Sequence, residues 1–278
     1  MKKRFLGLLL AGWLGSPLIA NAEAGGMADS CYARTHTLQW QAPASGRQLT
    51  VVIDQTVVLP DVLQHSVWDK VAAFIKPGDE VKLYTFSAVV PGQYMQLVAD
   101  STLDTPPSSS ARGDIPMDDL DDLDSCLSQQ KSQFTQNWGR ALVKAMQESR
   151  ADIPKSEIMH SLKSIGEDLK TSPARQRVIL LVSDMLENSD SASFYQHNQI
   201  RQLNVPKVLA SVRQQNLVAD MDGAEIYVLG AGLLSAKDSH YIGGKTLDSL
   251  QNFWQQWFAL SDARLVAFGT PALNQPLQ

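Results

Sequence analysis

Two apolar runs of the sequence each end in an aspartate. Residues 49–53 read LTVVI and are followed by Asp54, with Thr56 two positions later. Residues 176–182 read QRVILLV and are followed by Ser183 and Asp184. Carboxylates and hydroxyls are the hard oxygen ligands that Mg²⁺ prefers, and a carboxylate can also act as a nucleophile. If the two segments meet in the fold, the pattern indicates either a metal site or a phosphoryl-transfer site.

The elements that carry these residues alternate between strand and helix patterns. Val51, Val52 and Ile53 leave no polar face, which predicts a fully buried strand. Further strands are predicted at 80–88, 176–186, 224–232 and 263–271, with an antiparallel neighbour at 92–100. Helices are predicted at 62–75, 137–150, 156–170, 205–216 and 246–260. This alternation predicts an α/β fold with a doubly wound, mostly parallel sheet and helices on both faces.

In a doubly wound sheet, ligands bind beyond the carboxyl ends of the strands. Asp54 and Asp184 lie at two of those ends, and Ser87 lies at the end of another predicted strand, so we expect these side chains at one edge of the sheet. A purely structural alternative stays open for the first motif. In that alternative Asp54 accepts hydrogen bonds from backbone N–H groups at the start of the following helix, with Thr56 as a cap.

The order of these motifs resembles the von Willebrand factor A domain. That family carries D-x-S-x-S after its first strand, a threonine ahead of a central helix and an aspartate after its fourth strand. Here residues 54–58 read DQTVV, residues 135–146 read TQNWGRALVKAM, and LLVSD ends at Asp184. PGDEVKLYTFSA, ending just past Ser87, resembles the family's second strand. The resemblance covers roughly residues 47–270.

The resemblance implies a metal-ion-dependent adhesion site. Its ligands would be Asp54, Thr56, Thr135 and Asp184, with Ser87 and Ser183 as secondary candidates. Val58 stands where the family has its second serine, and a valine offers no oxygen to a metal, so the implied site is degenerate. The implied function is protein–protein interaction, with or without a Mg²⁺-bridged contact, in an accessory or scaffold component of an envelope assembly. No catalytic residue is expected in this interpretation, and the protein partner is unidentified.

A phosphatase of the haloacid-dehalogenase type is the alternative function. Asp54 would be the nucleophile, Ser87 the phosphate-binding hydroxyl, Lys170 or Lys207 the positive clamp, and Asp184 the Mg²⁺ ligand. Such an enzyme needs a second aspartate two positions after the nucleophile as general acid, and that position holds Thr56. Met185 also follows Asp184 where a further carboxylate is expected.

The first 22 residues predict export. Lys2, Lys3 and Arg4 precede an apolar stretch, and Ala20-Asn21-Ala22 forms a small-x-small exit, which is the layout of a secretory signal peptide. We expect cleavage after Ala22, or after Ala24, and a periplasmic protein with no stable membrane insertion once the signal is removed. Residues 23–46 are an N-terminal extension, and residues 47–278 form the von Willebrand A-like domain.

Two further features complete the prediction. Cys31 and Cys126 are the only cysteines, and an even pair in an oxidising compartment predicts one disulfide. Residues 99–126 are rich in Pro, Ser and Asp, which predicts an exposed excursion from the domain, tied down by Cys126. The net charge of −5 is spread over both signs, so nucleic acid is not an expected partner.

Overall fold

The computed structural model describes residues 30–87, 95–151, 153, 155–196, 199–233 and 244–278. The predicted signal peptide and cleavage site lie outside these ranges. Within them, no helix combines the length and the apolar character that crossing a membrane requires.

One six-stranded sheet organises the chain. Its order is β3-β2-β1-β4-β7-β8, and every neighbouring pair is parallel except β2 with β3. A separate two-residue hairpin pairs β5 with β6. The strands are β1 (Arg47–Asp54), β2 (Glu80–Phe86), β3 (Met95–Thr102), β4 (Gln176–Val182), β5 (Tyr195–Gln196), β6 (Gln199–Ile200), β7 (Ala224–Leu229) and β8 (Ala263–Phe268). The predicted α/β class and the antiparallel neighbour of β2 are both confirmed.

Helices cover both faces of the sheet. They are α1 (Cys31–Arg34), α2 (Asp61–Phe74), α3 (Ser109–Asp114), α4 (Met117–Gln147), α5 (Ile158–Leu169), α6 (Val205–Gln214) and α7 (Gly244–Leu260), with a 3₁₀ turn at Leu38–Trp40. Apolar residues of α2 and α4 pack on one face, and those of α5, α6 and α7 pack on the other. Successive residues of β1 serve the two cores in turn: Val51 and Ile53 face α2 and α4, whereas Val52 faces the opposite layer.

The segment predicted as an exposed excursion is mostly exposed or partly exposed and is tied down by Cys126, but it is largely helical, which the sequence pattern did not predict. Helix α4 runs for 31 residues and begins 20 residues before the predicted helix start at position 137. Leu123, Cys126, Phe134 and Trp138 are buried along one stripe of α4, while the acidic residues stay on its solvent side. Asp118 and Asp119 lie in the first turn, where negative charge stabilises a helix. The polar composition concealed this helical periodicity.

The predicted disulfide is confirmed. Cys31 is bonded to Cys126, with their Cα atoms 5.6 Å apart, and a small core of Tyr32, Ile115 and Leu123 surrounds the bond. The backbone N–H of Cys31 donates to Asp104 Oδ2 at 2.6 Å. The disulfide therefore attaches the N-terminal extension to α4 beside the end of β3.

We expect the Cys31→Ser/Cys126→Ser double variant to lose about 4 kcal/mol of unfolding free energy, because a link across 95 residues restricts the unfolded chain. Urea denaturation under oxidising conditions measures the loss. As a control, a reducing agent should bring the parent protein down to the level of the variant and leave the variant unchanged. Equal urea midpoints for the oxidised parent and the variant would contradict this role of the bond.

Candidate functional site

The two aspartate-ending strands are neighbours in the sheet. β1 and β4 are parallel, and Ile53 lies opposite Val182, so Asp54 and Ser183 leave the sheet side by side. The chain moves outward from β1 to β2 and β3 on one side, and from β4 to β7 and β8 on the other. The strand order thus reverses between β1 and β4, which is where doubly wound sheets open a crevice. The predicted convergence of Asp54 with Asp184 at this edge is observed.

Asp54 is the hub of the hydrogen bonds at this edge. Its Oδ1 accepts from the backbone N–H and the hydroxyl of Thr56, at 2.9 and 2.6 Å. Its Oδ2 accepts from the hydroxyls of Ser183 and Ser156, at 2.7 and 3.2 Å. Four donors match the roughly four lone-pair positions of a carboxylate. The side chain is 1% exposed, so the donors replace water almost completely.

The first motif folds as a turn and not as a helix cap. The N–H of Val57 donates to the carbonyl of Asp54 at 3.3 Å, and α2 starts only at Asp61. The structural alternative is therefore correct that Asp54 accepts a backbone N–H, which comes from Thr56. It is wrong that these groups cap the following helix. Thr56 lies in the turn after β1, and the N-cap position of α2 is Pro60.

Asp184 lies beside this hub in a tight turn after β4. Its Oδ1 accepts the N–H of Leu186 at 2.9 Å, and its carbonyl accepts the N–H of Gly232 at 2.8 Å. Ser183 Oγ, which donates to Asp54, also accepts the N–H of Met185 at 3.0 Å. Asp184 is half-buried, and among the described residues its carboxylate accepts one hydrogen bond, which leaves acceptor positions for a ligand.

The two carboxylates disfavour each other's ionisation. Burial raises the pKa of Asp54, although hydrogen bonds from Thr56 and Ser183 act in the opposite direction. Burial raises the pKa of Asp184 well above its usual range, and the nearby charge of Asp54 raises it further. A proton or a cation would relieve this excess of negative charge.

Thr135 is not part of the site, so its predicted ligand role is wrong. It lies exposed in the middle of α4, where its hydroxyl donates to the carbonyl of Lys131 at 3.0 Å. It precedes the helix end at Gln147 by 12 residues, or about 18 Å of helix. The segment after α4 reaches the first motif, where the N–H of Arg150 donates to the carbonyl of Gln55 at 2.8 Å.

Ser156, which sequence reasoning missed, supplies a hydroxyl from the loop before α5. Its backbone pairs with Asn188 and its hydroxyl reaches Asp54 across 102 positions of sequence. A serine just ahead of an amphipathic helix was the only local signal. Ser87 follows β2 at the same edge, since Phe86 lies opposite Asp54, but Ser87 is not among the four donors to Asp54.

Glu187 is a second residue that the sequence did not reveal. It is fully buried, and its Oε2 accepts the N–H of Met159 in the first turn of α5 at 3.0 Å. A carboxylate at a helix N-terminus is normally stabilised in its charged form. Here burial outweighs that effect and raises the pKa of Glu187 to about 8. Glu187 is therefore mostly protonated at neutral pH, and its ionisation at higher pH destabilises the folded protein.

The oxygens at this edge match the chemistry of a hard cation. Two carboxylates and the hydroxyls of Thr56, Ser156 and Ser183 are gathered there, and hard oxygens of this kind suit Mg²⁺. Val58 adds no ligand. Over the described ranges, no group of three or more His, Cys, Asp or Glu side chains could hold a metal, so an ion here would depend on hydroxyls and water.

Comparison with known proteins adds little to this geometry. No family model and no curated protein matches the chain. Among solved structures, the chain is similar to an aerotolerance-related membrane protein from Bacteroides fragilis that carries multiple mutations to serine. The two are 9% identical, the match covers 80% of this chain and 92% of that one, and the TM-score is 0.37. The sheet and the site themselves define the class: a doubly wound α/β protein with an acidic oxygen cluster at its topological switch point.

We expect Glu187→Gln to become more stable than the parent protein as pH rises. The pKa of Glu187 is about 8 in the folded protein, against 4.5 for an ordinary glutamate. Between these two pH values the folded protein therefore keeps a proton on Glu187 that the unfolded chain releases. The parent therefore loses stability between about pH 4.5 and pH 8, by up to roughly 4 to 5 kcal/mol from this group, and glutamine removes that loss.

Urea denaturation of both proteins from pH 5 to pH 9 measures this difference. Glu148→Gln is the matched control for the substitution itself, because that glutamate is 54% exposed at the end of α4. A stability difference between Glu187→Gln and the parent that stays constant over this range would contradict the assignment.

Proposed function

We propose that the carboxyl edge around Asp54 and Asp184 is the binding surface of an exported protein-interaction module of von Willebrand A type. The observation that carries the proposal is the pair of exposed valines beside the acidic cluster. Val58 is 52% exposed in the connection that leads from Asp54 into α2, and Val62 is 74% exposed in the first turn of α2. Protein-binding surfaces commonly combine exposed apolar side chains with nearby polar or charged groups that orient the partner.

The connection is anchored, so these valines have defined positions. Val57 and Leu59 are 6% and 5% exposed, and they flank Val58. Leu59 packs towards Gly230, where an added Cβ would lie 3.7 Å from Leu59 Cδ2 and 3.0 Å from the carbonyl oxygen of Ser183. The exposure of Val58 therefore accompanies a firmly packed backbone. Such preorganisation lowers the entropy cost of binding a partner.

A Mg²⁺ ion fits the proposal chemically. Asp184 and Thr56 would be its direct ligands, with Asp54 orienting the Thr56 hydroxyl. When bound, the ion would neutralise the acidic pair and provide a coordination position for an acidic side chain of the partner. The protein would bind its partner without such an ion if Val58 and Val62 supply most of the contact.

The structure gives the phosphatase alternative less support. A nucleophilic carboxylate needs a free lone pair within reach of substrate, yet Asp54 is 1% exposed and accepts four hydrogen bonds. Lys170 follows α5 on the way to the start of β4, at the opposite edge of the sheet, and pairs with Asp220 at 3.0 Å. These observations favour binding over phosphoryl transfer.

The expected location is the periplasm. The first 22 residues carry the signal-peptide pattern, and a disulfide such as Cys31–Cys126 suits an oxidising compartment. An accessory or scaffold role in an envelope assembly is consistent with both features. The partner is then another exported protein or the exported part of a membrane protein.

We expect isothermal titration with Mg²⁺ or Mn²⁺ to give binding heat for the parent protein and none for Asp184→Asn. Asparagine keeps the size of the side chain but removes the charge that the ion needs. Asp190→Asn is the control, since that side chain is 86% exposed and pairs with the partly exposed Lys155. Absence of heat for the parent protein, or equal heat for Asp184→Asn, would remove the metal from the proposal.

We expect a photo-crosslinking residue at Val58 or Val62 to capture the same exported protein in the native host. The same residue at Val143, which is 44% exposed on α4, is the control and should not capture it. Adducts analysed by mass spectrometry identify the partner. Capture from position 143 alone, or of unrelated proteins from positions 58 and 62, would contradict a partner surface at this edge.

A further inference from the structure

A groove separates α2 from α4 on the face of the sheet away from α5. The two helices are close at Trp68 and Gly139, where an added Cβ would lie 3.4 Å from the Trp68 ring. Towards the end of α2 the groove widens to a volume of about 250 Å³. Its walls are mostly apolar and come from Trp68, Ala72, Ile75, Leu103, Leu127 and Phe134. A cavity of about 150 Å³ holds benzene, so this groove can hold a larger apolar body.

Most polar side chains in the groove already have partners. Asp104 accepts from Ser30 Oγ at 3.1 Å, from the N–H of Cys31 at 2.6 Å and from Gln130 Nε2 at 2.9 Å. Gln130 Oε1 in turn accepts the N–H of Asp104 at 2.9 Å. Thr135 uses its hydroxyl within α4. The acidic group of the groove is therefore satisfied by the N-terminal extension and by α4.

Two lysines at the groove differ from these residues. Lys76 follows the end of α2, and Lys131 lies on α4 one turn before Thr135. Among the described residues, neither ammonium group has a hydrogen-bond or ion-pair partner. Pro77 and Pro106, which also line the groove, lack a backbone N–H. The ammonium groups of Lys76 and Lys131 therefore place positive charge beside the apolar wall of the groove.

We propose that this groove binds a single-chain amphiphile with a carboxylate head, of the fatty-acid class. The apolar chain lies between Trp68 and Phe134, and the carboxylate is held by Lys76 and Lys131. A cation or a neutral head group gains nothing from this pair of charges, and the groove is too small for a lipid with two chains. This site is separate from the Asp54 edge and does not depend on the function proposed there.

The head-group requirement is tested with decanoate and decyltrimethylammonium, which have the same chain length and opposite charge. Isothermal titration of the full exported chain, below the micellar concentration of each probe, should give saturable binding of decanoate. Decyltrimethylammonium should bind at least tenfold more weakly. No binding of decanoate, or equal binding of the two probes, would overturn the proposal.

Two variants locate the site. Ala72→Phe fills the groove, and Lys76→Gln/Lys131→Gln removes both charges without filling it; each should weaken decanoate binding at least tenfold. Ala73→Phe adds the same ring at the neighbouring exposed position, and Lys144→Gln removes a 75% exposed charge elsewhere on α4. Both controls should bind decanoate within twofold of the parent protein. Unchanged affinity in the double lysine variant would overturn the assignment even if Ala72→Phe fails to fold.

Discussion

The buried carboxylate of Asp54 is the constraint on which the rest of the site depends. A charge withdrawn from water is tolerated only if donors replace the lost hydration, and here the four donors come from three separate segments of chain. Thr56 comes from the turn after β1, Ser183 from the end of β4 and Ser156 from the loop before α5. Satisfying one carboxylate thus fixes three loops at the point where the strand order reverses. Val58 lies two residues after Thr56 in one of these segments and is 52% exposed.

The same burial creates the chemistry of the edge. Asp184 lies next to the buried carboxylate of Asp54. Its own burial and the like charge of Asp54 both raise the pKa of Asp184. Glu187 lies in the same loop, but burial at the first turn of α5 raises its pKa to about 8, so it adds little negative charge at neutral pH. The acidic pair of Asp54 and Asp184 therefore lies at the same edge as the exposed valines Val58 and Val62. A partner or a cation that neutralises this charge would gain binding energy from it.

Sequence patterns predicted the framework better than the site. Continuous apolar runs such as Val51–Ile53 identify buried parallel strands, and parallel strands bring their carboxyl ends together, so Asp54 and Asp184 could be placed at one edge in advance. The length of α4 was missed because its solvent side is rich in Asp and Ser, which outweighed the stripe formed by Leu123 and Cys126. That error also misplaced Thr135. Ser156 and Glu187 gain their roles from contacts far apart in sequence, and no local pattern encodes such contacts.

The most direct test of the acidic pair is a carboxyl-carbon NMR titration of Asp184 in metal-free protein, compared between the parent and Asp54→Asn. We expect Asp184 in the parent to titrate well above the usual range for an aspartate, because it is poorly solvated and faces a second carboxylate. In Asp54→Asn we expect its pKa to fall, since the charge is gone while the burial remains. An ordinary pKa for Asp184 in the parent, unchanged in Asp54→Asn, would contradict a coupled acidic pair at the switch point of the sheet.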